Sequence, residues 1–368
     1  MNKLRTFFSN EKHYRFFIPC FAVIMGFLVG VIVMLMTGLN PKYIFTALLR
    51  AVLGINTAAI GTGKTVFNPR YIGEFFVTVM PLVLTGLSAA FAFRTGLFNI
   101  GGEGQLLVGS LCAITTAILG RGLPSFILLP MVVLAGALAG GIWGFIPGIL
   151  KARFNVHEVV GTIMLNYTGL YLSNYVLKIL PGSDLVRTAT IPEQASLQSP
   201  LLSALTNGSR LHWGFVIVCA ALFSFWFIIN KTTFGYELRA VGYNPFASKY
   251  AGIKVQRNAA LSMGIAGVYS GLAGVLIAVG TFSYGRVLPG FENYGFDGLV
   301  VALVGGNTAP GSLFAGLLLG SLHAAQPLMQ SNGIPRDISI IIVSAIIIFV
   351  AMQNGIKFFL NHLSRSAQ

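Results

Sequence analysis

The sequence predicts an all-α protein, a bundle of about ten helices that crosses a lipid bilayer with both termini in the cytoplasm. Of the 368 residues, 55% are hydrophobic and 9% are charged, whereas a typical soluble domain carries about 25% charged residues. The apolar residues also form long continuous runs, most of them near or above the ~20 residues that a spanning helix needs. A chain so poor in charge cannot cover a water-facing surface, so most of its solvent is expected to be lipid.

The apolar runs define the predicted transmembrane domain, residues 16–358. The first run, 16–38, follows a basic segment and is longer than the core of a cleaved signal peptide, so we expect it to remain as a span. Open backbone polar groups are not tolerated in hydrocarbon, so each run is expected to be helical. The run at 295–308 is short and glycine-rich, which leaves open a span or a re-entrant half-helix. The other runs are 72–93, 99–119, 124–150, 157–180, 211–230, 259–280, 311–330 and 337–358.

The basic residues orient the bundle. The net charge of +14 is carried by segments between the runs, a pattern that sets membrane topology and does not indicate nucleic-acid binding. An even number of spans makes residues 1–15 and 359–368 cytoplasmic tails. Residues 40–70 and 181–210 are then external loops, and an amphipathic piece at 41–53 is expected to lie along the membrane interface.

Residues 231–257 form the longest polar insertion on the predicted inner side. Asn244-Pro245 favours a turn that opens a short helix at 246–251. Exposed aromatic side chains mark a contact surface more often than a plain connector does. We therefore expect this segment to bind a cytoplasmic partner, and the alternative is a solvated loop. Its aromatic residues are Phe234, Tyr236, Tyr243, Phe246 and Tyr250.

Polar residues at two places in the apolar runs are candidates for a solute pathway. Glu103 lies at the start of the run at 99–119, where an ionisable residue costs about 2.5–3.5 kcal/mol and normally faces a bundle interior or an aqueous path. The glycines around it permit the broken-helix geometry found at transporter sites. The alternatives are a position of Glu103 near the headgroups and plain interhelical hydrogen bonding of the others. The candidate pathway residues are Asn99, Glu103, Gln105, Asn166, Tyr167 and Asn174.

The sequence contains no convincing motif for catalysis or metal binding. Residues 61–65 imitate a phosphate-binding loop, but Ala58 stands where that motif needs a glycine. Cys20, Cys112 and Cys219 are not spaced for a metal cluster. We expect a non-catalytic chain that binds no metal or cofactor. An ion-coupled secondary transporter is the rival transport class, although it would need acids deep in several spans and inverted repeats.

Four segments resemble a known family. Residues 96–113, 150–167, 234–253 and 296–320 are similar, in order, to the permeases that serve ribose, other simple sugars, nucleosides and branched-chain amino acids in bacterial ATP-binding cassette (ABC) importers. The stretch FNIGGEGQ at 98–105 looks like the nucleoside-type subgroup. The resemblance implies a multi-pass subunit of the bacterial inner membrane that forms the pathway for nucleosides or, alternatively, ribose-type sugars.

The resemblance also implies the partners. These are a cytoplasmic ABC ATPase, of tandem two-domain type, that binds the ATP; a second permease, identical or related; and an extracytoplasmic substrate-binding lipoprotein. Residues 234–253 would be the coupling segment that sits in a cleft of the ATPase. The candidate coupling residues are Gly235, Glu237, Arg239, Gly242, Asn244, Pro245, Ala247 and Tyr250.

Overall fold

A computed structural model describes residues 11–60 and 65–352. Over these ranges the regular elements are helical, and extended backbone pairs only in isolated bridges. Three predicted features lie wholly or partly outside the described residues: the C-terminal tail at 359–368, residues 1–10 of the N-terminal tail, and most of the stretch at 61–65 that imitates a phosphate-binding loop. The α-helices, in chain order, are α1 Glu11–Met36, α2 Lys42–Leu53, α3 Pro69–Arg94, α4 Gly102–Leu119, α5 Ser125–Phe154, α6 Glu158–Ile179, α7 Pro200–Leu205, α8 Gly214–Lys231, α9 Thr233–Tyr243, α10 Pro245–Tyr250, α11 Val255–Val275, α12 Tyr294–Val304, α13 Ala309–Gln330 and α14 Arg336–Ala351.

Capping residues set several helix boundaries. The Asn68 side chain accepts a hydrogen bond from the backbone N–H of Arg70 at 3.0 Å, and proline follows at the first position of α3. Thr308 does the same for the N–H of Gly311 at the start of α13. Such caps satisfy backbone donors that have no partner within the helix. Asn155 ends α5 in the left-handed conformation, at φ 52°, which asparagine tolerates better than most residues.

Within the part of the chain that the structure describes, six helices are long and apolar enough to cross a bilayer. They are α3, α4, α5, α8, α13, and α11 together with the π-helical turn Leu276–Phe282 that extends it. The coarser prediction, an all-helical membrane protein built on the apolar runs, is confirmed. Beyond these six helices, the total of ten spans and the cytoplasmic location of both termini stay predictions.

Helix α12 is too short to span. Its 11 residues rise roughly 16 Å, about half the thickness of the hydrocarbon core. It begins after a non-helical stretch, residues 283–293, which we call the re-entrant segment. Of the two readings left open for 295–308, the half-helix matches this geometry.

Glycines bring the backbones of α5 and α11 into contact. A Cβ at Gly140 would lie 2.5 Å from the carbonyl oxygen of Gly267 and 2.6 Å from Cα of Gly271. A Cβ at Gly109 on α4 would also lie 2.6 Å from Cα of Gly271. Lipid supplies no hydrophobic force between helices, so close van der Waals packing of small residues stabilises such a core.

Segments predicted on the same side of the membrane lie together. Arg121 Nη2 donates to the carbonyl of Thr190 at 2.7 Å, which joins the α4–α5 turn to the 181–210 loop. At the opposite end of the bundle, where α3 ends, Arg94 Nε donates to the carbonyl of Asn307 at 2.8 Å. We call the end that carries 181–210 the outer end and the end that carries 231–257 the inner end.

Candidate functional site

The re-entrant segment runs from the outer end into the bundle. Near the outer end, the N–H of Val287 donates to the carbonyl of Val186 at 2.8 Å. A Cβ at Gly285 would lie 3.2 Å from the Ile114 side chain on α4. The other end of the segment meets Glu103, eleven residues earlier on α4. The segment therefore follows α4 inward over roughly 16 Å.

Glu103 holds the inner end of the re-entrant segment and the start of α12. Its carboxylate accepts backbone N–H groups from Glu292 and Asn293, each at 3.1 Å, and from Gly295 at 2.6 Å. Glu103 lies in the first turn of α4 and is fully buried. Its charge thus meets the N-terminal ends of two helices, where negative charge is favoured. The carboxylate thus joins two segments of the chain, and its depth in the membrane stays a prediction.

Three other pathway candidates form a buried amide network beside Glu103. Asn99 and Gln105 exchange two side-chain hydrogen bonds of 3.1 Å. On α6, Asn166 accepts from the N–H of Gly104 at 2.8 Å and donates to the carbonyl of Ile100 at 3.0 Å. The network joins the start of α4 to α6.

The last two candidates, on α6, contact the re-entrant segment directly. Asn174 donates to the carbonyl of Leu288 at 2.7 Å and accepts from its N–H at 2.9 Å. Tyr167 is half-exposed, and its ring packs edge-on against Phe291 with centroids 4.9 Å apart. The structure therefore gathers all six candidates around this segment and the start of α4. Their contact with a solute stays a prediction.

The sequence reasoning did not find an ion pair on the same segment. Arg286 Nη1 and Nη2 donate to Glu292 Oε1 and Oε2, each at 2.6 Å. The pair borders a cavity of about 20 Å³, enough for a single water molecule. The available signal was two opposite charges in the short interval between the runs at 259–280 and 295–308. Their pairing depends on the folded path of the segment.

At the inner end, the 231–257 insertion folds into the short helices α9 and α10. Thr232 Oγ1 accepts from the N–H of Gly235 at 2.9 Å and caps α9. Asn244 Oδ1 accepts from the N–H groups of Phe246 and Ala247, each at 3.0 Å. With Pro245 at the first helical position, these are standard N-terminal features. The short helix predicted at 246–251 is present one residue earlier.

One face of α9 anchors this region to the bundle. Gly235 is buried, and half-buried Glu237 accepts from Asn258 Nδ2 on α11 at 2.8 Å. A Cβ at Gly242 would lie 3.0 Å from the backbone nitrogen of Gly96. These candidate coupling residues therefore connect the insertion to α3 and α11. Arg239 is half-buried on the same helix.

Exposed aromatic side chains lie at the end of α9 and on α10. Tyr243, Phe246 and Tyr250 are 95%, 86% and 97% exposed. Asn244, Pro245 and Ala247 are exposed beside them. We call Tyr243, Phe246 and Tyr250 the aromatic surface. Large exposed aromatic residues at one place are typical of a protein contact.

Among the described residues, no group of three or more His, Cys, Asp and Glu side chains is placed to hold a metal ion.

Known proteins show similarity over nearly the whole chain. A family model described as "Branched-chain amino acid transport system / permease component" matches residues 71–351. The guanosine ABC transporter permease protein NupP of Bacillus subtilis is 44% identical over 95% of this chain and 96% of NupP. The nucleoside ABC transporter permease protein NupB of Lactococcus lactis is 39% identical over 94% of this chain and 93% of NupB. A further guanosine permease protein of B. subtilis, NupQ, is 29% identical over 66% of this chain and 77% of NupQ. No solved structure matches the chain.

Proposed function

The chain belongs to the family of branched-chain amino acid transport system permease components, and on this premise we propose that it is a permease subunit of an ATP-driven ABC importer for nucleosides. The observation that carries the proposal is its 44% identity to a guanosine permease over nearly all of both chains. A second nucleoside permease follows at 39% identity. The ion-coupled alternative has no support from the family or from these relatives.

We propose that the aromatic surface binds a cytoplasmic ABC ATPase, of tandem two-domain type, which holds the ATP. In this role Tyr243, Phe246 and Tyr250 contact the ATPase, while Gly242 and Glu237 transmit its movement. The support is geometric: the aromatic surface is exposed, while Glu237 on α9 accepts a hydrogen bond from α11 and Gly242 packs against the end of α3. A conformational change requires a partner that binds two states of the bundle with different affinity.

A second permease subunit completes the pathway in this proposal. B. subtilis has two guanosine permease proteins that match this chain, NupP and NupQ, which favours a related partner over an identical one. An extracytoplasmic binding lipoprotein delivers the solute to the outer end. The assembly lies in the bacterial plasma membrane, with the inner end in the cytoplasm.

The candidate pathway residues take two roles in this proposal. Half-exposed Tyr167 faces the pathway. Asn99, Glu103 and Gln105 lie behind its surface, where they and Asn166 fix the start of α4. This division follows from their hydrogen bonds, which occupy the polar groups of the buried residues within the chain.

Uptake of radiolabelled guanosine tests the function. Cells that lack this chain should lose uptake, and expression of the chain should restore it. Restored uptake should resist a protonophore while cellular ATP is maintained. Ribose uptake restored in place of guanosine uptake would support the sugar alternative, and restored uptake that collapses with the proton gradient would contradict an ATP-driven importer.

A further inference from the structure

The Arg286–Glu292 pair lies on the re-entrant segment between two points where the segment is fixed. Both of its hydrogen bonds are 2.6 Å long, and the side chains are 22% and 26% exposed. The Arg286 guanidinium also lies 3.8 Å from the centroid of the Phe282 ring. The pair is thus held in one geometry and is still accessible.

The accessible part of the pair cannot face lipid. The segment that carries it follows α4 from Ile114 to Glu103, below the outer end of that helix. Charged side chains at such depth face a protein interior or a water-filled space, because exposure to hydrocarbon costs several kcal/mol. Arg286 also pairs in an isolated bridge with Arg187 of the 181–210 loop, so the exposed fraction of Arg286 and Glu292 marks a water-accessible space at the outer entrance of the bundle.

The neighbouring side chains suit a hydroxyl-rich solute. The cavity beside the pair is also lined by Ser110, Asn174 and Tyr284. Phe291, next to Glu292 in the chain, packs on half-exposed Tyr167, and the Phe282 ring lies against Arg286. The cavity has room for about one water molecule, so a solute requires the pathway to open.

We propose that the Arg286–Glu292 pair binds the ribose hydroxyls of the nucleoside as it enters the membrane domain from the outer end. Two vicinal hydroxyls can donate to the carboxylate oxygens of Glu292, and the guanidinium of Arg286 can donate to the hydroxyl oxygens. Asn174 fixes the backbone between the two residues, at Leu288, and Glu103 fixes it from Glu292 onward, which limits the ordering needed on binding. This inference rests on the nucleoside transport proposed above and names a contact for that solute.

Comparison of guanosine with 2′-deoxyguanosine tests the contact. The assay uses vesicles that contain the complete transporter, with the binding protein saturated by each nucleoside. Glu292→Gln should lower the maximal rate of guanosine uptake about tenfold or more, the usual effect of losing a hydrogen bond to a charged group. The rate for 2′-deoxyguanosine, which lacks one hydroxyl, should fall much less. ATPase stimulation by the binding protein should remain.

Two further variants guard against a merely structural effect. Arg286→Gln with Glu292→Gln removes both charges together and leaves no unpaired ion, and it should show the same loss of preference for guanosine. Glu158→Gln removes the carboxylate that pairs with Lys151 at 3.0 Å near the inner end, and it should preserve the preference. Equal loss of uptake for the two nucleosides, or no loss, would overturn the contact. Failure of the unmodified transporter to take up guanosine with ATP would instead overturn the proposed function.

Discussion

Replacement of Glu103 by Gln tests how the half-helix α12 is held. The carboxylate accepts three backbone N–H groups in a fully buried position. A glutamine keeps one oxygen, which can still accept from Glu292 and Asn293, but its amide nitrogen then faces the N–H of Gly295. One buried donor is left unpaired, which costs about 1–3 kcal/mol.

This cost of about 1–3 kcal/mol makes local opening at the start of α12 easier. Hydrogen exchange of a peptide that covers residues 290–297 measures this change in the free energy of local opening. A loss of 2 kcal/mol in local opening free energy corresponds to about 30-fold faster exchange. Glu193→Gln, at an exposed position in the outer loop, is the matched control and should leave this peptide unchanged. Equal exchange in Glu103→Gln and the unmodified chain would refute the reasoning.

Three further predictions concern other parts of the molecule. Tyr243→Ala or Phe246→Ala should weaken binding of the ATPase about tenfold or more without lowering the melting temperature, and retained binding in a pull-down titration would contradict the docking role. Gly140→Ala should destabilise the bundle by about 1–3 kcal/mol because its Cβ meets the α11 backbone, whereas Gly161→Ala, whose Cβ would lie 3.8 Å from Pro147 Cβ, should not; equal thermal unfolding of the two would argue against the close helix contact. His212 is buried before α8, and burial, with the charge of Arg210 second, lowers its pKa to about 4. The neutral imidazole therefore contributes about 3 kcal/mol to the free energy of unfolding above pH 6.5, and this contribution is lost as the pH falls toward 4. His212→Gln should therefore flatten the fall in melting temperature across this pH range. An unchanged slope would contradict the prediction.

The sequence predicted the helices well because their cause is local. Each predicted run contains a helix, since long apolar segments have no other stable form in lipid. The amphipathic piece at 41–53 is helix α2, whose buried residues Ile44, Ala47 and Ala51 lie on one face. The turn at Asn244 and Pro245 was also predictable from capping chemistry.

Long-range pairing was outside the reach of the sequence. Glu103 accepts from Gly295, 192 positions later, and no local pattern indicates such a contact. The pairing of Arg286 with Glu292 depends on an extended path between two helices, which hydropathy does not describe. Periodicity placed Asn166 on a helix, but its use as a bridge to Gly104 required the fold.

Accumulation of guanosine in vesicles tests the central claim most directly. Vesicles would contain this chain and its partner permease, with the binding protein at the outer end and with or without the ATPase. We expect accumulation against a gradient only when the ATPase and ATP are both present at the inner end. Uptake at the full rate in vesicles without the ATPase would contradict the account.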